Sequence, residues 1–315
     1  MSGASGRSGR IRWGVASLAL FFGLPVGLPV GSVHATLASS SKVIAIGAEN
    51  QYANVIAQIG GRDVRVTAIM SNPATDPHTY EASPQVAQKI ANAALVVQNG
   101  AGYDTFMRTI EAASPNARRK VIVVRRLLHR SGAIANPHLW YAPSTMPVVA
   151  AKIAQDLAAL DPSHRRVFER NLARFDRSLS PWKAAIAALR RRFPHAPVAT
   201  TEPVADDMLQ AAGIDDKTPF AFQSDVMNGV DPSPQDLATE QNLLKDHKVR
   251  ALVYNQQVTD TVTQSLLAIA RQHHIPVVGV YETMPTPGYD YQTWMTAEVR
   301  ALINALAHGT SAPTL

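Results

Sequence analysis

A repeated alternation restricts this chain to few architectures. Short apolar, β-branched runs alternate with segments of helical periodicity, and the cycle occurs twice along 315 residues. Residues 43–48, 64–70, 94–99 and 121–125 read as strands, with helices over 83–93, 103–113 and 143–160. The second half has strand-like runs at 197–201, 251–255 and 276–281, and helical segments at 204–212, 233–246, 261–273 and 292–307. Runs that are apolar on both faces belong to strands buried on both sides, and strands separated by helices pair in parallel. The expected fold class is α/β, with two lobes, each a parallel sheet flanked by helices. Residues 162–192 contain no glycine and set apolar and charged positions at helical spacing, which predicts a long linker helix. Pro162 suits its first turn, and Pro181 should kink or interrupt it. The expected boundaries are 36–160 for the N-terminal lobe, 161–193 for the linker and 194–315 for the C-terminal lobe.

The first 35 residues read as a separate element. Arg7, Arg10 and Arg12 precede an apolar stretch over 13–30, and Val33 and Ala35 are small residues at cleavage positions, so 1–35 is expected to be a signal peptide. Pro25, Pro29 and several glycines argue against a permanent spanning helix, and nothing later in the chain is long and apolar enough to span. A periplasmic location is expected. Those three arginines contribute half of a formal net charge of +6, and the other charges are scattered, which does not point to nucleic acid. There is no cysteine. That excludes disulfides, thiolate ligands, cysteine nucleophiles and a lipid on an N-terminal cysteine, so the exported protein is expected to be free rather than lipidated.

Two short segments resemble each other: Asp76-Pro77-His78-Thr79-Tyr80 and Asn136-Pro137-His138-Leu139-Trp140-Tyr141. In each, a proline stiffens the loop before a histidine, and an aromatic residue follows that can wall a site. Two carboxylates occupy comparable places in the second half: Glu202 and Glu282 directly follow the runs at 197–201 and 276–281. All four residues fall at or beyond the carboxyl ends of expected strands, the edge at which open α/β sheets bind ligands. Two neutral imidazoles and two carboxylates make a four-coordinate set for a divalent transition metal. Glu49 and Asn50, after the first strand, could orient a ligating imidazole or could cap a helix.

On these landmarks, together with Thr201-Glu202-Pro203, Glu282-Thr283 and the run from Asn228 to Pro234, the chain resembles the zinc/manganese-type substrate-binding proteins of ABC transporters, the ZnuA/TroA-like group. The resemblance spans residues 43–307. It implies metal ligands at His78, His138, Glu202 and Glu282, the last being a glutamate where the family usually has an aspartate. It implies zinc or manganese as the transported ion, an ABC permease as partner, peripheral docking at the membrane and a monomer. Only His129 lies in the region where many zinc-specific members carry a histidine-rich loop, so scavenging by such a loop is not expected. A metallohydrolase is the first alternative, but no HExxH helix or GxSxG elbow is present. An adhesin or a periplasmic metal chaperone on the same scaffold is the second.

Overall fold

The structure, a computed structural model, describes residues 42–72, 80, 82–132, 135–285 and 287–315. The segment read as a signal peptide lies outside these residues. The first half runs β1 (Val43–Glu49), α1 (Asn50–Gly60), β2 (Val64–Met70), α2 (Pro84–Ala91), β3 (Leu95–Gln98), α3 (Thr105–Ala113), β4 (Lys120–Val123), a short α4 (Val124–Leu127) and α5 (Thr145–Leu160). Its four strands pair in parallel in the order β2-β1-β3-β4. After α6 (Arg165–Ser178) and α7 (Ser180–Arg192) come β5 (Pro197–Thr200), α8 (Asp206–Ala211), β6 (Asp215–Asp216), α9 (Phe220–Met227), α10 (Pro234–Lys245), β7 (Leu252–Asn255), α11 (Thr261–Gln272), β8 (Val277–Val280) and α12 (Tyr291–His308). The second sheet is also four-stranded and parallel, in the order β6-β5-β7-β8. The two sheets therefore share one topology, in which β1 corresponds to β5, β3 to β7 and β4 to β8.

The patterning explains the layers. β3, β7 and β8 are buried along their whole length, as expected of strands covered on both faces. α1 buries Tyr52, Val55, Ile56 and Ile59, a stripe at intervals of three and four residues, against β1, β2, α5 and α6. Gly61, at φ 57°, ends it and returns its N–H to the Ala57 carbonyl. Gly47 of β1 has no room for a Cβ because the Ala53 backbone of α1 lies against it. β6 has only two residues, both aspartate, so no apolar run announces it.

The connector is helical but not a single helix. It breaks at Leu179, between α6 and α7. Pro181, in the first turn of α7, lacks the N–H that a continuous helix would need there. α6 packs on α1 and α5, and α7 packs on α12 and α8. One apolar core runs through both halves, taking in Tyr52, Trp140 and Ile153 from the first, Trp182 from α7, and Tyr281, Tyr291 and Trp294 from the second. Polar bonds close the same seam. Asn50 Nδ2 donates to the Met284 carbonyl at 2.7 Å, and the Met284 N–H donates back to Asn50 Oδ1 at 2.9 Å. Tyr291 Oη donates to the Trp140 carbonyl at 2.6 Å. Residues 41–315 accordingly cluster as one compact unit. Among the described residues no helix is long and apolar enough to cross a membrane.

Candidate functional site

His138 sits on the loop between α4 and α5 and is fully buried. Its neighbours fix that loop. Asn99, immediately after β3, donates from Nδ2 to the Pro137 carbonyl at 2.8 Å and accepts the Tyr52 hydroxyl on Oδ1 at 2.7 Å. Asn136 ties the loop to the other half by donating to the Pro203 carbonyl at 2.7 Å. Asn136 Oδ1 also accepts the His138 N–H at 2.9 Å and lies 2.8 Å from His138 Nδ1. That bond places the ring proton on Nδ1 and leaves Nε2 as the outward nitrogen. The rings of Tyr103 and Trp140 stand edge-on to the imidazole at 5.8 and 5.5 Å.

Facing Nε2 at 3.1 Å is Oε2 of Glu282, itself fully buried, two residues beyond β8. The backbone around Glu282 is held by Gln257 Oε1, which accepts its N–H at 2.7 Å and that of Thr283 at 2.6 Å. Glu202 lies two residues beyond β5 and is 2% exposed. Asn255, the last residue of β7, joins the acids: its Nδ2 donates to Glu202 Oε1 at 3.0 Å and to Glu282 Oε1 at 2.7 Å. Tyr103 belongs to the same cluster. Its phenol is pushed well above the usual tyrosine range by burial and by the charge of Glu282.

The structure thus brings His138, Glu202 and Glu282 into one buried polar cluster. His78, with the rest of its Asp76-Pro77-His78 segment, lies outside the described residues. Among the described residues, no three imidazole and carboxylate groups stand at the spacing that would hold a metal ion; the Asn255 amide separates the two acids. Glu49 occupies the expected N-cap position of α1, without a side-chain capping bond. Burial, followed by the charge of nearby Asp104, raises its carboxyl well above the usual range. Asp104 is raised to about 6, mainly by burial and against the bonds it accepts from Gly100 and Asn99 N–H. Asn50 binds the Met284 backbone instead of an imidazole.

Asn255, Asn99 and Tyr103 were not singled out from the sequence. Asn255 and Asn99 carry the same signal as Glu202 and Glu282, a polar residue where an apolar strand ends. His164 and His195 pair with Asp161 and Asp215, and His247 faces His273, all away from this cluster.

The chain matches the family model for ZnuA, the periplasmic zinc-uptake complex component A, over residues 48–305. PsaA, a manganese ABC transporter substrate-binding lipoprotein of Streptococcus pneumoniae, is 24% identical over 275 residues, covering 82% of this chain and 86% of its own. The iron-binding protein YfeA of Yersinia pestis is 28% identical over 147 residues, 45% of this chain and 46% of its own. Among solved structures, the periplasmic zinc binding protein TroA from Treponema pallidum shares the fold at a TM-score of 0.73 and 18% identity, covering 85% of this chain and 100% of that one.

Proposed function

The chain belongs to the family of periplasmic zinc-uptake component A proteins, and from that premise we propose that it is the substrate-binding protein of an ABC metal importer. It captures a divalent transition metal, zinc or manganese, outside the cytoplasm and delivers it to a membrane permease as a free monomer. The observation that carries the reading is the buried contact, 3.1 Å long, between His138 Nε2 of the first lobe and Glu282 Oε2 of the second. Donor atoms bound at about 2.0–2.1 Å in a tetrahedral shell stand about 3.3 Å apart, so this pair already has the spacing of neighbouring ligands. His78 and Glu202 complete the set.

Two carboxylates buried side by side and bridged by the Asn255 amide offer oxygen donors beside the imidazole, a mixed set suited to a divalent transition metal. The Asn136 bond to Nδ1 reserves Nε2 for the ion and holds the ring in place. On loading, the ion takes over from Asn255 the task of keeping the acids together. Four protein ligands leave no position for a hydrolytic water, so the chain is a carrier and not a metallohydrolase. The export signal spans 1–35, and the unit that carries the ion comprises lobes 36–160 and 194–315 with the linker 161–193 between them.

Elemental analysis of protein purified from its native compartment identifies the ion. Calorimetric titration then tests the ligands: His78→Ala and His138→Ala should each weaken binding at least about tenfold, roughly 1.4 kcal/mol, while His164→Ala and His247→Ala leave it unchanged. Wild-type affinity in either ligand variant removes that histidine from the site.

A further inference from the structure

A second cavity lies at the carboxyl edge of the first sheet, apart from the cluster that holds His138. It encloses about 790 Å³ between the end of β3, the first turns of α3 and the segment after β4. That volume suits a small organic molecule. Val121 and Val123 of the edge strand β4 give it an apolar wall, and Val121 is exposed.

Four arginines also line it: Arg108, Arg125, Arg126 and Arg130. The Arg125 guanidinium is engaged, donating to the carbonyls of Arg130 and Gly132. The other three are exposed, and no hydrogen bond or ion pair with a described residue holds their guanidinium groups. Three such groups gathered on one cavity repel each other unless an anion joins them. Asp207, off this lining, offsets part of the Arg130 charge, and the two acids on the lining do not meet the rest of that need. Asp104 is turned to the backbone, accepting the Asn99 and Gly100 N–H groups at 2.6 and 2.8 Å. Glu111 is half-buried and its carboxyl is raised, mainly by burial, although Arg119 and Arg126 both oppose the rise.

The same Asp104 bonds indicate which anion fits. Phosphate is best held by a nest of free backbone amides at a turn or helix N-terminus. Here the leading amides of the turn before α3 are already taken. Recognition falls to planar guanidinium forks beside an apolar wall, which match a carboxylate on a carbon skeleton.

We propose that this cavity is a second binding site, for a small organic carboxylate. The test uses metal-free full-length protein and four probes in calorimetric titrations: malate, aspartate, succinate and inorganic phosphate. The three organic acids share a four-carbon dicarboxylate skeleton. At least one of them should bind saturably and at least about fivefold more tightly than phosphate. The double variant R108Q/R126Q, altered at exposed positions, should lose at least about tenfold of that affinity while keeping the wild-type zinc isotherm and melting temperature. The proposal is overturned by absent saturation with all three organic acids, by a smaller preference over phosphate, or by unchanged binding in the double variant.

Discussion

The carboxyl edges of the two sheets can be compared position by position, because the strand orders are the same. β1 ends in Glu49, and Glu202 stands two residues past β5. Asn99 follows β3, and Asn255 ends β7. Arg125 stands two residues past β4, and Glu282 two residues past β8. In the first lobe burial and the charge of Asp104 push the acid's pKa up, and the asparagine clamps the backbone of the loop that carries His138. In the second lobe the asparagine clamps two carboxylates instead. One topology thus supports two tasks. The first edge positions an imidazole through a loop, and the second presents charge directly from strand ends. What decides between them is the partner each polar residue meets, since the residue types at the β1/β5 and β3/β7 edges are the same.

The largest effect that sharpens this contrast should come from the second edge. Zinc or manganese should raise the melting temperature of chelator-treated protein, by an amount equivalent to about 4 kcal/mol at a thousandfold excess over Kd. Magnesium should not, because it prefers oxygen ligands and keeps its water. Glu202→Ala and Glu282→Ala should each remove most of the shift. If thermal melting shows a full shift in both variants, the second edge contributes no ligand.

The two asparagines should differ next. Asn255→Ala leaves two buried carboxylates without their common donor, a cost of about 1–3 kcal/mol. That loss should be evident in metal-free protein and smaller with zinc bound, because the ion then holds the acids. Asn99→Ala should destabilise both forms alike, since it loosens the loop. Equal losses with and without zinc in Asn255→Ala would erase the distinction.

A third test probes an acid of the second lobe that no ligand reaches. Glu240 is fully buried, and burial together with the charge of Asp216 raises it to about 8. Asp206, close to Asp216, is raised to about 7 by burial and by that same neighbour. A carboxyl raised in the folded state binds its proton more tightly there than in the unfolded chain, so stability falls as pH rises from the unfolded value toward the folded one. Metal-free protein should therefore lose melting temperature between about pH 5 and pH 8. Glu240→Gln should flatten part of that slope and gain on the order of 2 kcal/mol at the alkaline end. An unchanged slope in the variant would show that Glu240 ionises no differently in the two states.

The smallest effect should belong to Glu49→Gln. Burial and the charge of Asp104 favour the uncharged form of this carboxyl, and an amide of the same shape can take its place. Stability should change by less than about 1 kcal/mol, with zinc affinity nearly as in wild type. A loss as large as that of Glu202→Ala would mean that the edges do the same work after all.

Much of the site was legible because its signals are local. Glu202 and Glu282 stand where apolar runs stop, and a strand end can be found from a few residues of pattern. His138 was marked by Asn-Pro-His, in which proline limits the backbone and asparagine reaches the ring two residues away. Asn255 carries the same strand-end signal, but an amide is not read as a ligand, so its bridging role between acids 53 positions before and 27 positions after it stayed hidden. Glu49 does occupy the helix N-cap that its place after the first strand suggested, but the residue that perturbs its carboxyl besides burial, Asp104, comes from another segment of the sheet edge.

The sequence by itself determined the two parallel sheets, the helical connector interrupted near Pro181, and the carboxyl-edge placement of His138, Glu202 and Glu282. Each of these rests on periodicity or backbone restriction within a short stretch. Only the tertiary structure decided that His138 meets Glu282 across 144 positions, that Asn99 and Asn255 serve different partners, and that Arg108, Arg126 and Arg130 share one cavity. Those outcomes depend on how the seam between the lobes and the faces around each sheet pack in three dimensions. Side chains far apart in the chain meet there because burial and hydrogen-bond satisfaction bring them together, and no local pattern records that meeting.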